Sequence, residues 1–306
     1  MKFTLKRLIF IIILTSITKI SLCHEFWIDP KNYHLSNNEK AVANIFIGEN
    51  FEGSPIPFTK EYFKIAFLHA EDNKLKIKGR LGDIPALNIK KTFKGLNVIQ
   101  VESVTKYVEY EKLVKFEIFT REKGYPNLAQ KHRENNYPEN FFESYKRYAK
   151  SLISVENFDG KDIDTNMDFE LIFLDNPLKN LNESKRILLE YKNKILADHK
   201  VSIMSLNNGY FRKEYVRTNN GGFFDYLFKE NTKYLIESVV IIEGSNKKKD
   251  NYAKWHSLWT SYTLKTPNKW FKSVELLLKI LWIIIILKIN INAVSYTHLT
   301  LPTSQL

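Results

Sequence analysis

Short segments in which apolar and polar residues alternate recur along most of this chain, and they constrain its fold more than any other feature. Residues 41–47 alternate in this way and end at Gly48. Further runs lie at 62–68, 96–101, 107–110, 169–173, 186–192, 200–206 and 234–242, with Asn, Gly, Pro and Asp between them. Strands of about 4–8 residues separated by turn residues are typical of β-sandwiches. The sequence therefore predicts a mostly β protein.

The spacing of the apolar residues changes from every second residue to every third or fourth residue at 111–153. This spacing predicts helices over 112–122 and 141–153, with a polar loop at 131–136 between them. The body of the chain then divides into three parts. They are an N-terminal β-sandwich domain at 24–110, a short helical insert at 111–160 and a C-terminal β-sandwich domain at 161–265.

Residues 1–23 have the features of a secretory signal peptide. A basic start precedes an apolar run at 8–14, and Ser21 and Cys23 are the small residues expected before a cleavage site. Cleavage there makes His24 the first residue of a periplasmic or secreted protein. Two alternatives remain open, lipidation of Cys23 and an uncleaved N-terminal anchor.

Residues 266–306 differ in character from the rest of the chain. The segment 274–291 is apolar over about the length of a membrane span, roughly 20 residues, but Lys279 and Lys288 interrupt it. The last residues, 293–306, resemble translated adapter sequence found at the ends of unrelated assembled genes. We therefore predict that the tail is an assembly artefact. The alternative is a genuine C-terminal membrane anchor at 270–291, which would bring the protein into contact with a membrane.

Composition and motifs exclude several classes of function. The single cysteine, Cys23, rules out an intrachain disulfide and a Cys-based zinc or iron–sulfur site. The formal net charge is +12, yet no Arg-rich stripe or nucleic-acid-binding motif is present, so nucleic acid is not an expected partner. No G-x-S-x-G, H-E-x-x-H or P-loop motif occurs either. We therefore expect a non-catalytic protein.

Six segments, in family order, resemble the DUF4198 family of secreted bacterial proteins. They are H-E-F-W-I-D-P (24–30), I-G-E-N-F-E-G (47–53), E-S-V-T-K-Y-V-E (102–109), F-E-I-F-T-R-E-K-G (116–124), E-S-Y-K-R-Y-A-K-S-L-I (143–153) and W-H-S-L-W-T-S-Y-T-L (255–264). The resemblance covers nearly all of 24–265. It implies an immunoglobulin-like first domain and a second domain like the regulatory β-sandwich of carboxypeptidases.

The same resemblance implies a role with metals, since some members are labelled periplasmic components of nickel or cobalt uptake systems. A membrane permease of such a system is then the implied partner. The chain departs from the family in two places. Members often carry a histidine in the strand matching 236–242, and none is present here. The extension at 266–306 has no family counterpart.

An N-terminal His24 is the residue with the most specific chemistry. Its free amine and its ring Nδ1 can close a six-membered chelate ring on Ni²⁺, Co²⁺ or Cu²⁺, which favour nitrogen ligands. A third ligand must come from elsewhere, and His34 is nearest in sequence. The other candidates are His69, His132, His199, His256, Glu25 and Glu49. His24 and His34 are therefore the predicted metal ligands.

These features leave three hypotheses for the function. In the first, a non-catalytic periplasmic protein binds nickel or cobalt and delivers it to a membrane permease. In the second, His24 and another histidine converge on copper in an oxidative enzyme. In the third, the protein is a secreted binding module without metal.

Overall fold

The computed structural model describes residues 24–244, 253–268, 281–282 and 284–286. The predicted signal peptide lies outside these residues, as does most of the predicted span at 270–291. No helix within the described ranges is long and apolar enough to cross a membrane.

Up to residue 268, the described chain contains eighteen strands and two helices. The strands are β1 (Glu25–Pro30), β2 (His34–Leu35), β3 (Ala41–Glu49), β4 (Glu52–Pro55), β5 (Phe63–Ala70), β6 (Asn73–Lys76), β7 (Leu87–Ile89), β8 (Gly95–Ser103), β9 (Lys106–Tyr110), β10 (Phe141–Val155), β11 (Phe169–Phe173), β12 (Lys185–Tyr191), β13 (Lys194–Ile195), β14 (Lys200–Asn207), β15 (Tyr210–Arg217), β16 (Phe223–Tyr226), β17 (Lys233–Glu243) and β18 (Ala253–Lys265). The helices are α1 (Leu113–Glu122) and α2 (Leu128–Glu134). The prediction of a mostly β fold is confirmed.

The strands form three sheets. The central sheet has ten strands, in the order β15-β14-β17-β18-β10-β8-β5-β6, with β2 and β9 also paired to β10. Strands β1, β3, β4 and β7 form the N-terminal sheet, and β11, β12, β13 and β16 form the C-terminal sheet. Strand β18 lies parallel to β10 and antiparallel to β17.

The smaller sheets pack on opposite faces of the central sheet. Strand β10 shows this directly, because successive side chains of a strand point to opposite faces. Tyr148 and Leu152 enter the core beneath the C-terminal sheet, whereas Ala149 and Ile153 enter the core beneath the N-terminal sheet. The two sandwich layers therefore share the central sheet.

The two helices cover a third core on the same face as the N-terminal sheet. This core contains aromatic side chains from α1, β10 and β18, among them Phe116, Phe119, Phe141, Trp255 and Trp259. The ring of Phe119 stacks on that of Trp259 with 5.7 Å between centroids. The two helices thus close the part of the central sheet that the N-terminal sheet leaves uncovered.

The structure corrects the prediction of a second helix at 141–153, since these residues form β10. The strand is buried on both faces along most of its length. Its apolar residues therefore do not alternate, and those of the two faces together imitate a spacing of three and four. The predicted loop at 131–136 is also wrong in part, because residues 131–134 belong to α2.

The start of the predicted tail needs a correction as well. Thr266 is only 1% exposed. Its backbone N–H donates to the carbonyl of Thr232 at 3.0 Å, and its hydroxyl donates to the carbonyl of Lys229 at 2.6 Å. The backbone N–H of Asn231 donates to the carbonyl of Pro267 at 3.1 Å. The fold therefore extends through Pro267, two residues beyond the predicted boundary.

Candidate metal site

His24 directly precedes β1, and hydrogen bonds to the central sheet fix the strand at this end. The Arg147 guanidinium on β10 donates to the carbonyl of His24 at 3.1 Å. The Ser261 hydroxyl on β18 donates to the carbonyl of Phe26 at 2.6 Å. The backbone of His24 is therefore held at a defined place on the molecule.

The carboxylate of Glu49 lies beside the imidazole of His24. Glu49 ends β3, the strand that pairs with β1, and its Oε1 is 3.7 Å from Nδ1 of His24. The two side chains are 39% and 55% exposed, respectively, although the Nδ1 atom of His24 is itself buried. Cleavage before His24 adds the α-amine to this pair. The resulting donors are two nitrogens and one carboxylate.

Two glycines shape the tight β3–β4 hairpin that carries Glu49. A Cβ on Gly48 would lie 2.0 Å from the carbonyl oxygen of Glu52. A Cβ on Gly53 would lie 2.6 Å from the carbonyl oxygen of Ile47 and 2.9 Å from the Trp27 ring. A side chain at Gly48 would force β3 and β4 apart, and one at Gly53 would also press on the Trp27 ring of β1. These contacts give a physical reason for both glycines of the I-G-E-N-F-E-G segment.

Two buried carboxylates and two partly buried lysines, which we call the buried charge cluster, lie on the other face of β1. Lys213 Nζ is 3.3 Å from Glu25 Oε1, and Lys123 Nζ is 2.9 Å from Glu237 Oε1. The cluster joins β1 to β15, to β17 and to the end of α1. One carboxylate oxygen, Oε2 of Glu237, has no hydrogen-bond partner among the described residues.

Burial and neighbouring charges both shift pKa values in the buried charge cluster. Burial raises the pKa of Glu25 to about 7, and the charge of Glu237 adds to this effect. Burial lowers the pKa of Lys123, but the charge of Glu237 and its hydrogen bond outweigh that effect and raise it. Sequence reasoning missed this cluster except for Glu25. The one feature of the sequence that could have indicated this cluster is Glu237, an acidic residue within the otherwise largely apolar run 234–242.

His34 lies far from His24. Its Nδ1 is hydrogen-bonded to the Ser154 hydroxyl at 2.9 Å, and its ring packs edge-on against Phe158. Ser154 is seven residues along β10 from Arg147, the residue bonded to His24, which corresponds to about 23 Å at the rise of a strand. Burial, together with the charge of Lys265, lowers the pKa of His34 to about 4. The structure does not bring the two predicted ligands together.

The remaining histidines within the described residues are dispersed over the fold and engaged in separate contacts. His69, His132, His199 and His256 are hydrogen-bonded to Gln100, to Trp255 and Pro138, to Val239 and to Ser144, respectively. Within the described parts of the chain, no group of three or more His, Cys, Asp or Glu side chains could hold a metal ion. The His24–Glu49 pair reaches three donors only through the α-amine.

The comparison with protein families agrees with the resemblance seen in the sequence. A family model described as a domain of unknown function, DUF4198, matches residues 22–241. No curated protein matches the chain. The family match includes the candidate site and the buried charge cluster but ends within β17, so β18 lies outside it. Because the match covers more than half of the 306 residues, this chain belongs to the DUF4198 family.

Proposed function

We propose that this protein binds Ni²⁺ or Co²⁺ outside the cytoplasm and assists its uptake through a membrane permease, without catalysing a reaction. The observation that carries metal binding is the position of the Glu49 carboxylate, 3.7 Å from Nδ1 of the residue at which the mature chain is expected to begin. The uptake role and the permease follow from the family resemblance.

The donor set suits a divalent transition metal. The amine and Nδ1 of His24 form one chelate ring, and Glu49 adds an oxygen ligand that also offsets the charge of the ion. Nitrogen donors suit nickel and cobalt, whereas carboxylate oxygens alone suit magnesium and calcium. A site with three protein ligands leaves coordination positions for water or for a receiving partner. The partial exposure of both side chains is consistent with uptake and release of the ion, once the His24 ring turns its buried Nδ1 outward.

A copper site of an oxidative enzyme is the alternative. It requires a second histidine beside His24. The described histidines do not meet this requirement, because the β10 residues that contact His24 and His34 are about 23 Å apart and the other histidines are engaged elsewhere in the fold. The geometry therefore favours a set of two nitrogens and one oxygen. A metal-free binding module remains the outcome if the protein fails to bind any of these ions.

Calorimetric titration of the secreted, metal-stripped protein with Ni²⁺, Co²⁺ and Cu²⁺ tests the proposal. One variant carries an additional glycine before His24, which moves the amine away from the ring. A second carries Glu49→Gln. The matched control is Glu61→Gln, since Glu61 is an exposed carboxylate in a different loop. We expect both site variants to bind at least about tenfold more weakly, equivalent to about 1.4 kcal/mol, and the control to bind normally.

Binding should also weaken as the pH falls below about 6, because protons compete with the metal for the imidazole and the amine. The proposed site would be refuted if the protein that begins at His24 and the variant with a glycine before His24 bound the metal with equal affinity. Loss of the gene without any change in cellular nickel or cobalt would refute the uptake role and leave metal binding intact.

A further inference from the structure

A polar groove lies at the opposite end of β1 from His24. Its volume is about 620 Å³, within the range of roughly 300–1,000 Å³ that is common for small-molecule sites. The walls come from the end of β1, the β14–β15 turn and the adjoining ends of β17 and β18. The residues that line it include Asp29, Lys31, Asn44, Asn208, Asn231 and Lys265.

Asp29 is the single carboxylate among the described residues that line the groove, and it is already neutralised. Both oxygens of Asp29 accept hydrogen bonds from Lys233 Nζ at 3.0 Å. The Tyr33 hydroxyl donates to Asp29 Oδ1 at 3.1 Å. Asp29 and Lys233 together therefore contribute no net charge to the groove.

Two further lysines give the groove its positive charge. Lys31 and Lys265 line it, and neither ammonium pairs with a carboxylate in the part of the chain that the structure describes. His34 also lines the groove but is uncharged at neutral pH, because burial and the charge of Lys265 lower its pKa to about 4. The groove thus carries an excess of two positive charges.

Free amide groups accompany these charges. The side chains of Asn44, Asn208 and Asn231 make no hydrogen bond with any described residue, although all three line the groove. Ammonium groups form strong charge-assisted hydrogen bonds with carboxylates. Amides donate to and accept from hydroxyl groups. The volume is also larger than an inorganic ion requires.

We propose that this groove binds a small hydroxylated polycarboxylate, with Lys31 and Lys265 holding its carboxylates and the three asparagines its hydroxyl and remaining oxygens. This site does not depend on the metal site, since β1 separates the two by its full length.

Calorimetric titration of the secreted, metal-stripped protein with citrate tests the proposal, with inorganic phosphate and glucose as comparison probes. We expect citrate to bind at least about tenfold more tightly than phosphate and glucose not to bind. The double variant Lys31→Gln/Lys265→Gln should lose at least about tenfold in citrate affinity. The control Lys64→Gln removes one exposed charge on β5, far from the groove, and should bind citrate normally.

The variant with an extra glycine before His24 distinguishes this site from the metal site, because it should keep its citrate affinity. Thermal melting of each variant verifies that it is folded. The proposal is overturned if citrate does not bind, if phosphate binds as tightly, or if Lys64→Gln weakens citrate binding as much as the double variant Lys31→Gln/Lys265→Gln does.

Discussion

Replacing Lys150 by methionine should destabilise the protein far more than replacing a lysine at its surface. Lys150 lies at the middle of the central sheet and its side chain is 1% exposed. Its ammonium contacts Asp162 at 3.1 Å and Glu170 at 2.8 Å, and it donates to the backbone carbonyls of Ile163 and Leu171. These contacts connect β10 to the C-terminal sheet and to the loop that precedes it.

The size of the effect follows from what the substitution leaves behind. Methionine fills similar space, but two buried carboxylates lose the cation between them. Removing one partner of a buried ion pair costs about 3–5 kcal/mol. For a folded body of this size, 1 kcal/mol lowers the melting temperature by about 2–4 °C. We therefore expect Lys150→Met to lower it by roughly 6–20 °C.

Chemical denaturation and thermal melting of the variant test this magnitude. The matched control is Lys94→Met, because Lys94 pairs with Glu156 at the surface and is 69% exposed. Surface pairs contribute about 0–1 kcal/mol, so the control should change the free energy of unfolding by less than that. A loss in Lys150→Met no larger than in Lys94→Met would refute the assignment of Lys150 as the cation that holds the two layers together.

Three further outcomes are expected. Burial raises the pKa of Glu143 to about 7. Between about pH 4.5 and 7 the folded protein therefore keeps a proton that the unfolded chain has released. The free energy of unfolding should fall by about 1–3 kcal/mol as the pH rises through this range. Denaturation of Glu143→Gln should lack this component, and an unchanged pH dependence in the variant would contradict it. N-terminal sequencing of the secreted protein should begin at His24, and a lipidated Cys23 or an intact Met1 would remove the chelate. A chain ending at Asn268 should melt like the full chain, whereas one ending at Lys265 loses the hydrogen bonds of Thr266 and should be about 2–3 kcal/mol less stable; equal melting of the two truncated chains would show that Thr266 contributes nothing.

The sequence predicts the strands that have one clear pattern. Residues 41–47 alternate because one face of β3 packs on the core and the other is partly solvated. Residues 234–242 form a largely apolar run because β17 lies inside the central sheet. Strand β10 cannot be predicted in this way, since both of its faces are buried and polar residues such as Lys150 are satisfied only by distant partners.

The candidate metal site can also be predicted only in part from the sequence. His24 and Glu49 are candidates from the sequence because each has a residue type suited to metals, but only the pairing of β1 with β3 shows that they meet. His34 is close to His24 in sequence, yet the length of β1 carries it to the other end of the sheet. Lys123 and Lys213 reach Glu237 and Glu25 across 114 and 188 residues of chain, a separation that local patterns do not reveal.

The measurement that tests the proposed metal site most directly is electron paramagnetic resonance of Cu²⁺ bound, as a probe, to the protein that begins at His24. The proposed site predicts hyperfine coupling to two nitrogens, the amine and the imidazole of His24. It also predicts that this spectrum is lost when a glycine precedes His24. Coupling to three nitrogens would indicate a second histidine and the oxidative enzyme. An identical spectrum from the extended chain would contradict the site altogether.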